Sequence, residues 1–283
     1  MNFRKRLQVK FSVLNFEKLA KEATLSNQYL IKKVEILGGF LEYVYIPGEK
    51  DLPTIIMLHE GLGSISTWKE FPRKLSETTR YPILLYSRHG YGSSGFIKPR
   101  FGNSYMHDEA LEVLPALIYK LNIGSVILYG HSDGASIATI FAGAKPTNPV
   151  ERIILEAPHV FVEDISIEGI KAAKAAFENG NLRRSLEKHH GDPDRTFKYW
   201  SEAWLDPDFF TWNIQNYTKN ISAPVLLIQG ENDVYGSLKQ LDAIERVVKG
   251  KCSRTVLQDT GHSPHKEQPE SVLLAFKNFI IDR

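Results

Sequence analysis

Between an apolar run, Ser125-Val126-Ile127-Leu128-Tyr129, and a helix-like run, Ala135-Ser136-Ile137-Ala138-Thr139-Ile140, the chain carries Gly130-His131-Ser132-Asp133-Gly134. This stretch constrains the fold more than any other, because it requires a strand to turn sharply into a helix with the middle serine thrust out of the turn. The two glycines, each two residues from the serine, leave room for the strained backbone. A serine hydroxyl attacks carbonyls poorly unless a base takes its proton, so the pattern also sets up a search for a histidine and an acid.

Both are found downstream, each just past a strand-like run. Pro224-Val225-Leu226-Leu227-Ile228-Gln229 leads into Gly230-Glu231-Asn232-Asp233, and Arg254-Thr255-Val256-Leu257 leads into Asp259-Thr260-Gly261-His262. The crevice beyond the carboxyl ends of the strands is where a parallel sheet places its chemistry. On these residues the chain, from about residue 32 to its C-terminus, resembles the α/β-hydrolase fold enzymes. The resemblance implies an α/β architecture, a mostly parallel central sheet flanked by helices, with a helical cap inserted after the sixth strand. It also implies roles: Ser132 as nucleophile, His262 as general base and then acid, and Asp233 as the carboxylate that orients the imidazole. His265 competes with His262 but follows Pro264 and sits farther from the strand end; Asp259 is expected in a turn and Glu231 in solvent.

An oxyanion site needs two backbone donors. Asp133 supplies the first; the buried-strand pattern Thr54-Ile55-Ile56-Met57-Leu58 leads into His59-Glu60-Gly61-Leu62-Gly63-Ser64, where Gly61 is the second candidate. Glu60 stands where the resembled family has glycine, and is either a pocket carboxylate or a loop residue bonded to backbone. Arg88 and His89, in the glycine-rich Ser87–Ser94 stretch, are candidates for a substrate carboxylate or a structural ion pair. The Asp133 side chain is a candidate contact for a substrate ammonium.

The pass along the chain places a Gly38-Gly39 hairpin between Lys33–Leu37 and Phe40–Ile46, then alternating strands and helices, which favours a parallel sheet. Helices are expected through Trp68–Thr78, Ser104–Lys120 and Glu168–Asn179, and a strand at Arg152–Leu155. Residues 1–31 read as an N-terminal extension, 32–157 and 221–283 as the core, and 158–220 as the cap. The cap holds three of the four tryptophans, Trp200, Trp204 and Trp212, as an apolar pocket roof would. Most of its aromatics must pack the cap itself. His159, just before the insertion, is a pocket candidate, while His189 and His190 are expected at the surface.

Composition limits the alternatives. With 35 basic and 33 acidic residues and a net charge of +2, the chain has no basic signature for nucleic acid. The single cysteine, Cys252, forms no internal disulfide, which suits a reducing, cytoplasmic setting. No apolar run reaches the roughly 18 residues of a membrane span. The basic, interrupted N-terminus lacks the apolar core of an export signal. The expectation is a hydrolase without metal or cofactor, monomer or homodimer, that cleaves a small, partly apolar ester, thioester or lactone through an acyl-enzyme. Capped relatives that hydrolyse carbon–carbon bonds or eliminate pyruvate are the runner-up, and a ligand-sensing receptor of the same fold is the competing class. Relatives that open epoxides or dehalogenate carry an aspartate at the elbow, against which Ser132 argues.

Overall fold

The computed structural model describes residues 30–97 and 102–281; most of the N-terminal extension lies outside the described residues. Eight strands form one sheet in the order β1-β2-β4-β3-β5-β6-β7-β8. Strands β1 (Lys32–Ile36) and β2 (Gly39–Ile46) form a hairpin. Its turn uses Leu37 and Gly38, both at positive φ, rather than Gly38 and Gly39, because a two-residue turn that follows the strand twist needs two such residues. Strand β2 pairs antiparallel with β4 (Ile83–Tyr86), and from there β3 (Thr54–Leu58), β5 (Val126–His131), β6 (Val150–Glu156), β7 (Val225–Gly230) and β8 (Cys252–Leu257) run parallel.

Side-chain alternation along the strands divides the core into two layers. Ile56, Leu58, Val126, Leu128, Val225 and Leu227 face one layer with the helix Asp133–Gly143. Ile55, Met57, Ile127, Tyr129, Leu226 and Ile228 face the other, against Trp68, Phe71 and Phe276. Covered on both faces, β3, β4, β5 and β7 contain buried residues throughout, the run-on apolar pattern of strands inside a parallel sheet. The helix Asp133–Gly143 is buried almost all round, which explains why its sequence shows no polar stripe.

Three helix boundaries differ from the sequence reading. The segment at Trp68 is a 3₁₀ turn, Ile65–Trp68, and the helix starts afresh at Phe71–Thr79, because Lys69 takes a positive φ and Pro72 suits only a first turn. The helix near Ser104–Lys120 widens into a π-turn at Glu109–Val113. The expected Glu168–Asn179 helix starts a turn earlier and spans Asp164–Glu178. Between β6 and β7 the chain adds no strand to the sheet; the helices Asp164–Glu178, Asn181–Leu186, Pro193–Leu205 and Gln215–Thr218 fill this excursion. Among the described residues no helix is long and apolar enough to cross a membrane.

Candidate active site

Ser132 sits at the end of β5 with φ 55° and ψ −119°, a conformation that costs a non-glycine residue energy and persists only when its surroundings enforce it. The enforcement is visible. A side chain on Gly130 would run into the Gly134 carbonyl, and one on Gly134 into the Leu58 carbonyl at the end of β3. The G-x-S-x-G spacing therefore lets strand, helix and neighbouring strand touch backbone to backbone. The Ser132 amide donates to the Glu156 carbonyl at 2.9 Å, and Asp133 opens the helix that follows, where the first backbone amides have no partner within the helix.

His262 reaches this serine from the loop after β8. Its Nε2 lies 2.9 Å from Ser132 Oγ, and its Nδ1 lies 2.9 and 2.8 Å from the two carboxylate oxygens of Asp233. Because a carboxylate only accepts, Nδ1 carries the hydrogen and Nε2 is free to take the serine proton. Asp233 itself is fixed by the Gln229 amide at 2.6 Å and the Tyr235 backbone amide at 2.8 Å. Burial opposes its ionisation, but attraction to His262 and these hydrogen bonds outweigh burial and hold its carboxyl below the usual range. The rivals lie elsewhere. His265 is buried against Glu156, with Nδ1 and backbone amide each 2.8 Å from Oε1, while Asp259 and Glu231 are exposed.

These groups open onto a cavity lined by Glu60, Gly61, Leu62, Ser132, Asp133, His159, Ser166, Ile170, Trp200, Trp204, Tyr235 and His262. Trp200 packs so closely over Gly61 that no side chain fits there. The Trp200 Nε1 and His159 Nδ1 atoms are buried without a protein partner, which leaves polar capacity at the wall of an otherwise apolar chamber. Burial, reinforced by His262, lowers the pKa of His159 to about 4, so that ring is neutral near pH 7.

Arg88, His89 and Trp212 do not line this cavity. Arg88 is buried and donates to the carbonyls of His59 at 2.6 Å and Glu60 at 3.0 Å, pinning the two peptides on either side of Glu60, just before Gly61. Its guanidinium also lies 3.9 Å from Asp133, whose carboxylate accepts from the Tyr105 hydroxyl at 2.5 Å. The carboxylate thus spends itself inside the protein. His89 lines a separate cavity with Arg88 and Glu109, and Trp212 stacks on Phe209 beside an outer groove. Glu60 lines the cavity and accepts from Lys266 Nζ at 2.8 Å. The expectation of two surface histidines fails for His190, which is buried because its ring bridges the Gly92 amide at 3.0 Å and the Leu62 carbonyl at 3.0 Å; His189 is half-buried.

Sequence comparison places the chain among known families. A family model described as the alpha/beta hydrolase family matches residues 55–275. The chain belongs to this family. Among relatives of this hydrolase, epoxide hydrolase 4 of Mus musculus is 23% identical over 281 residues, covering 84% of this chain and 76% of its own. A Mycoplasma genitalium protein assigned provisionally as an esterase/lipase is 29% identical over 278 residues, covering 88% of this chain and 98% of its own. The crystal structure of a membrane phospholipase A described as a bacterial virulence factor superposes with a TM-score of 0.76 at 19% identity, covering 97% of this hydrolase and 94% of that chain. That likeness speaks to the fold.

Several residues around the site escaped the sequence reading. Gln229 and Tyr235 flank Asp233 and carried no signal beyond proximity, and Ile170 and Ser166 enter the cavity from a helix whose alanines read as ordinary. Among the described residues, His131, Glu156 and His265 bring donor atoms within 4.8 Å of one another, the set a metal would use. Here a proton on His265 Nδ1 bridges to Glu156, which also accepts from the Tyr129 hydroxyl, so hydrogen bonds join two of the three, while His131 bonds the His262 carbonyl instead.

Proposed function

We propose that this chain is a serine hydrolase acting on small, partly apolar esters, thioesters or lactones through an acyl-enzyme. The observation that carries the reading is the chain of contacts from Asp233 through His262 to Ser132, opening on a cavity with apolar walls. Ser132 Oγ attacks the substrate carbonyl as His262 Nε2 takes its proton, and the carbonyl oxygen gains the negative charge. The Asp133 and Gly61 amides receive that charge. When the tetrahedral adduct collapses, His262 returns the proton to the departing oxygen or sulfur. Water then gives its proton to the same nitrogen, attacks the acyl-enzyme and frees the acid and Ser132.

The chamber formed by Leu62, Ile170, Trp200 and Trp204 supports a compact, mostly apolar acyl group, with residues 158–220 acting as its cap. Among the described lining residues there is no lysine or arginine, while Glu60 and Asp133 bring carboxylates. That lining disfavours the anionic dienoate and pyruvate-bearing substrates of carbon–carbon hydrolases and eliminating enzymes. The same Asp133 carboxylate, already bonded to Tyr105, gives little purchase to a substrate ammonium.

Intact-mass measurement after treatment with a fluorophosphonate tests the reading directly. One adduct is expected on the wild-type protein, none on Ser132→Ala, and none on His262→Ala in the same time. Hydrolysis of short-chain p-nitrophenyl esters should track the labelling. A folded wild-type protein that neither labels nor turns over these esters overturns the proposal.

A further inference from the structure

His131 is the residue of the elbow to which the acyl-transfer mechanism gives no task, yet it is fully buried at the end of β5. Its Nε2 lies 2.7 Å from the backbone carbonyl of His262. A carbonyl only accepts, so Nε2 carries a hydrogen. On the other side of the ring, Nδ1 lies 3.6 Å from Oε2 of Glu60, whose other oxygen receives Lys266. The ring packs against Trp68, His262 and His265, and the backbone of His131 pairs with Glu156 across β5 and β6. Each segment that brings a group to Ser132 therefore meets at this imidazole: the elbow by its own backbone, the base loop through the His262 carbonyl, and the Gly61 loop through Glu60.

We propose that His131 is a positioning residue whose imidazolium ties the His262 loop to the Glu60-Gly61 loop and holds base and oxyanion amide at a common reach from Ser132. The inference rests on the acyl-transfer reading above. A cationic ring presents N–H groups in both directions, whereas a neutral ring with its hydrogen on Nε2 turns a lone pair towards the Glu60 carboxylate. Burial and the nearby Lys266 oppose the charge, but Glu60 and Glu156 outweigh them and raise the His131 pKa above the ordinary histidine value. The cation thus persists to higher pH than on an ordinary histidine. It is lost as pH rises through that raised pKa, which cuts the tie to Glu60 while the bond to His262 persists.

The test is kcat/KM and fluorophosphonate labelling rate against pH for wild type, His131→Asn, His131→Gln and Glu60→Gln, with a p-nitrophenyl ester as substrate. His131→Asn, too short to reach the His262 carbonyl, should lose about 10- to 100-fold in kcat/KM, mostly in kcat, as expected when a reacting group is displaced by around an ångström. His131→Gln, whose amide reaches that carbonyl without a charge, should recover part of the rate and flatten the alkaline descent, and Glu60→Gln should flatten it too. If His131→Asn fails to fold, the other two profiles carry the test. Active wild type with variants of unchanged rate and profile overturns this inference alone. Equal losses in both His131 variants with the wild-type profile retained assign the ring to packing and overturn it as well. Wild type that neither labels nor turns over ester overturns the acyl-transfer reading together with the inference.

Discussion

Among the described residues, two carboxylate–imidazole pairs share nearly the same geometry, and only in one does the imidazole meet a hydroxyl. Asp233 and His262 stand 2.8 Å apart, and so do Glu156 and His265. The rings of His262 and His265 lie on either side of His131, at 5.2 and 4.9 Å. Burial separates them. The His262 side chain keeps 17% of its surface exposed, with Nε2 turned to Ser132, whereas both His265 and Glu156 are sealed at 0% and the far nitrogen of His265 has no partner. A carboxylate–imidazole pair alone is a piece of structure; it becomes a candidate for catalysis when its second nitrogen faces a nucleophile at the edge of a cavity.

The comparison can be broken first at Asp233. Asp233→Asn should lower kcat for ester hydrolysis by about 10⁴ through loss of the correct imidazole tautomer, with little change in thermal stability. Turnover near wild type would move the orienting acid elsewhere. The sealed pair should answer in stability instead. Glu156→Gln leaves the donors of His265 and Tyr129 short of an acceptor and should cost about 3 kcal/mol in a denaturant titration at pH 7, with turnover per folded molecule much less affected. Burial opposes the charge on Glu156, yet its attraction to His265 and its hydrogen bonds lower its pKa from 4.5 to about 2. Ionised Glu156 therefore stabilises the fold fully above about 4.5, and that contribution fades as pH falls towards about 2. The gap between wild type and Glu156→Gln should close over the same window; a gap independent of pH would show that packing rather than charge holds the sealed pair. The smallest effect sharpens the contrast spectroscopically: fluorophosphonate modification of Ser132 should shift the low-field Nδ1 proton of His262 and leave that of His265 in place.

Much of this arrangement was legible in the sequence, and for a physical reason. Alternation of apolar runs with helix-like stretches depends on neighbours a few residues apart, so the order of strands and helices and the elbow at Gly130–Gly134 could be read directly. The same local logic put Asp233 and His262 just past strand ends. It failed where an outcome depends on what lies across the fold. Arg88 could be read for a substrate carboxylate or for an internal ion pair until the His59 and Glu60 carbonyls claimed it, and His190 looked like a surface residue until Gly92 and Leu62 closed on its ring.

His262 and His265 show the division most plainly, since three residues along one loop separate a ring beside Ser132 from a ring beside Glu156. The sequence by itself determined that strand ends would carry a serine, an acid and a histidine, because local backbone preferences and side-chain period set where strands stop. Only the tertiary structure decided which carboxylates are spent inside the protein, and that His131 lies between the two pairs. Those outcomes depend on residues from β3, β5, β6 and the loop after β8 arriving at one place, where burial and charge together fix what each group can do.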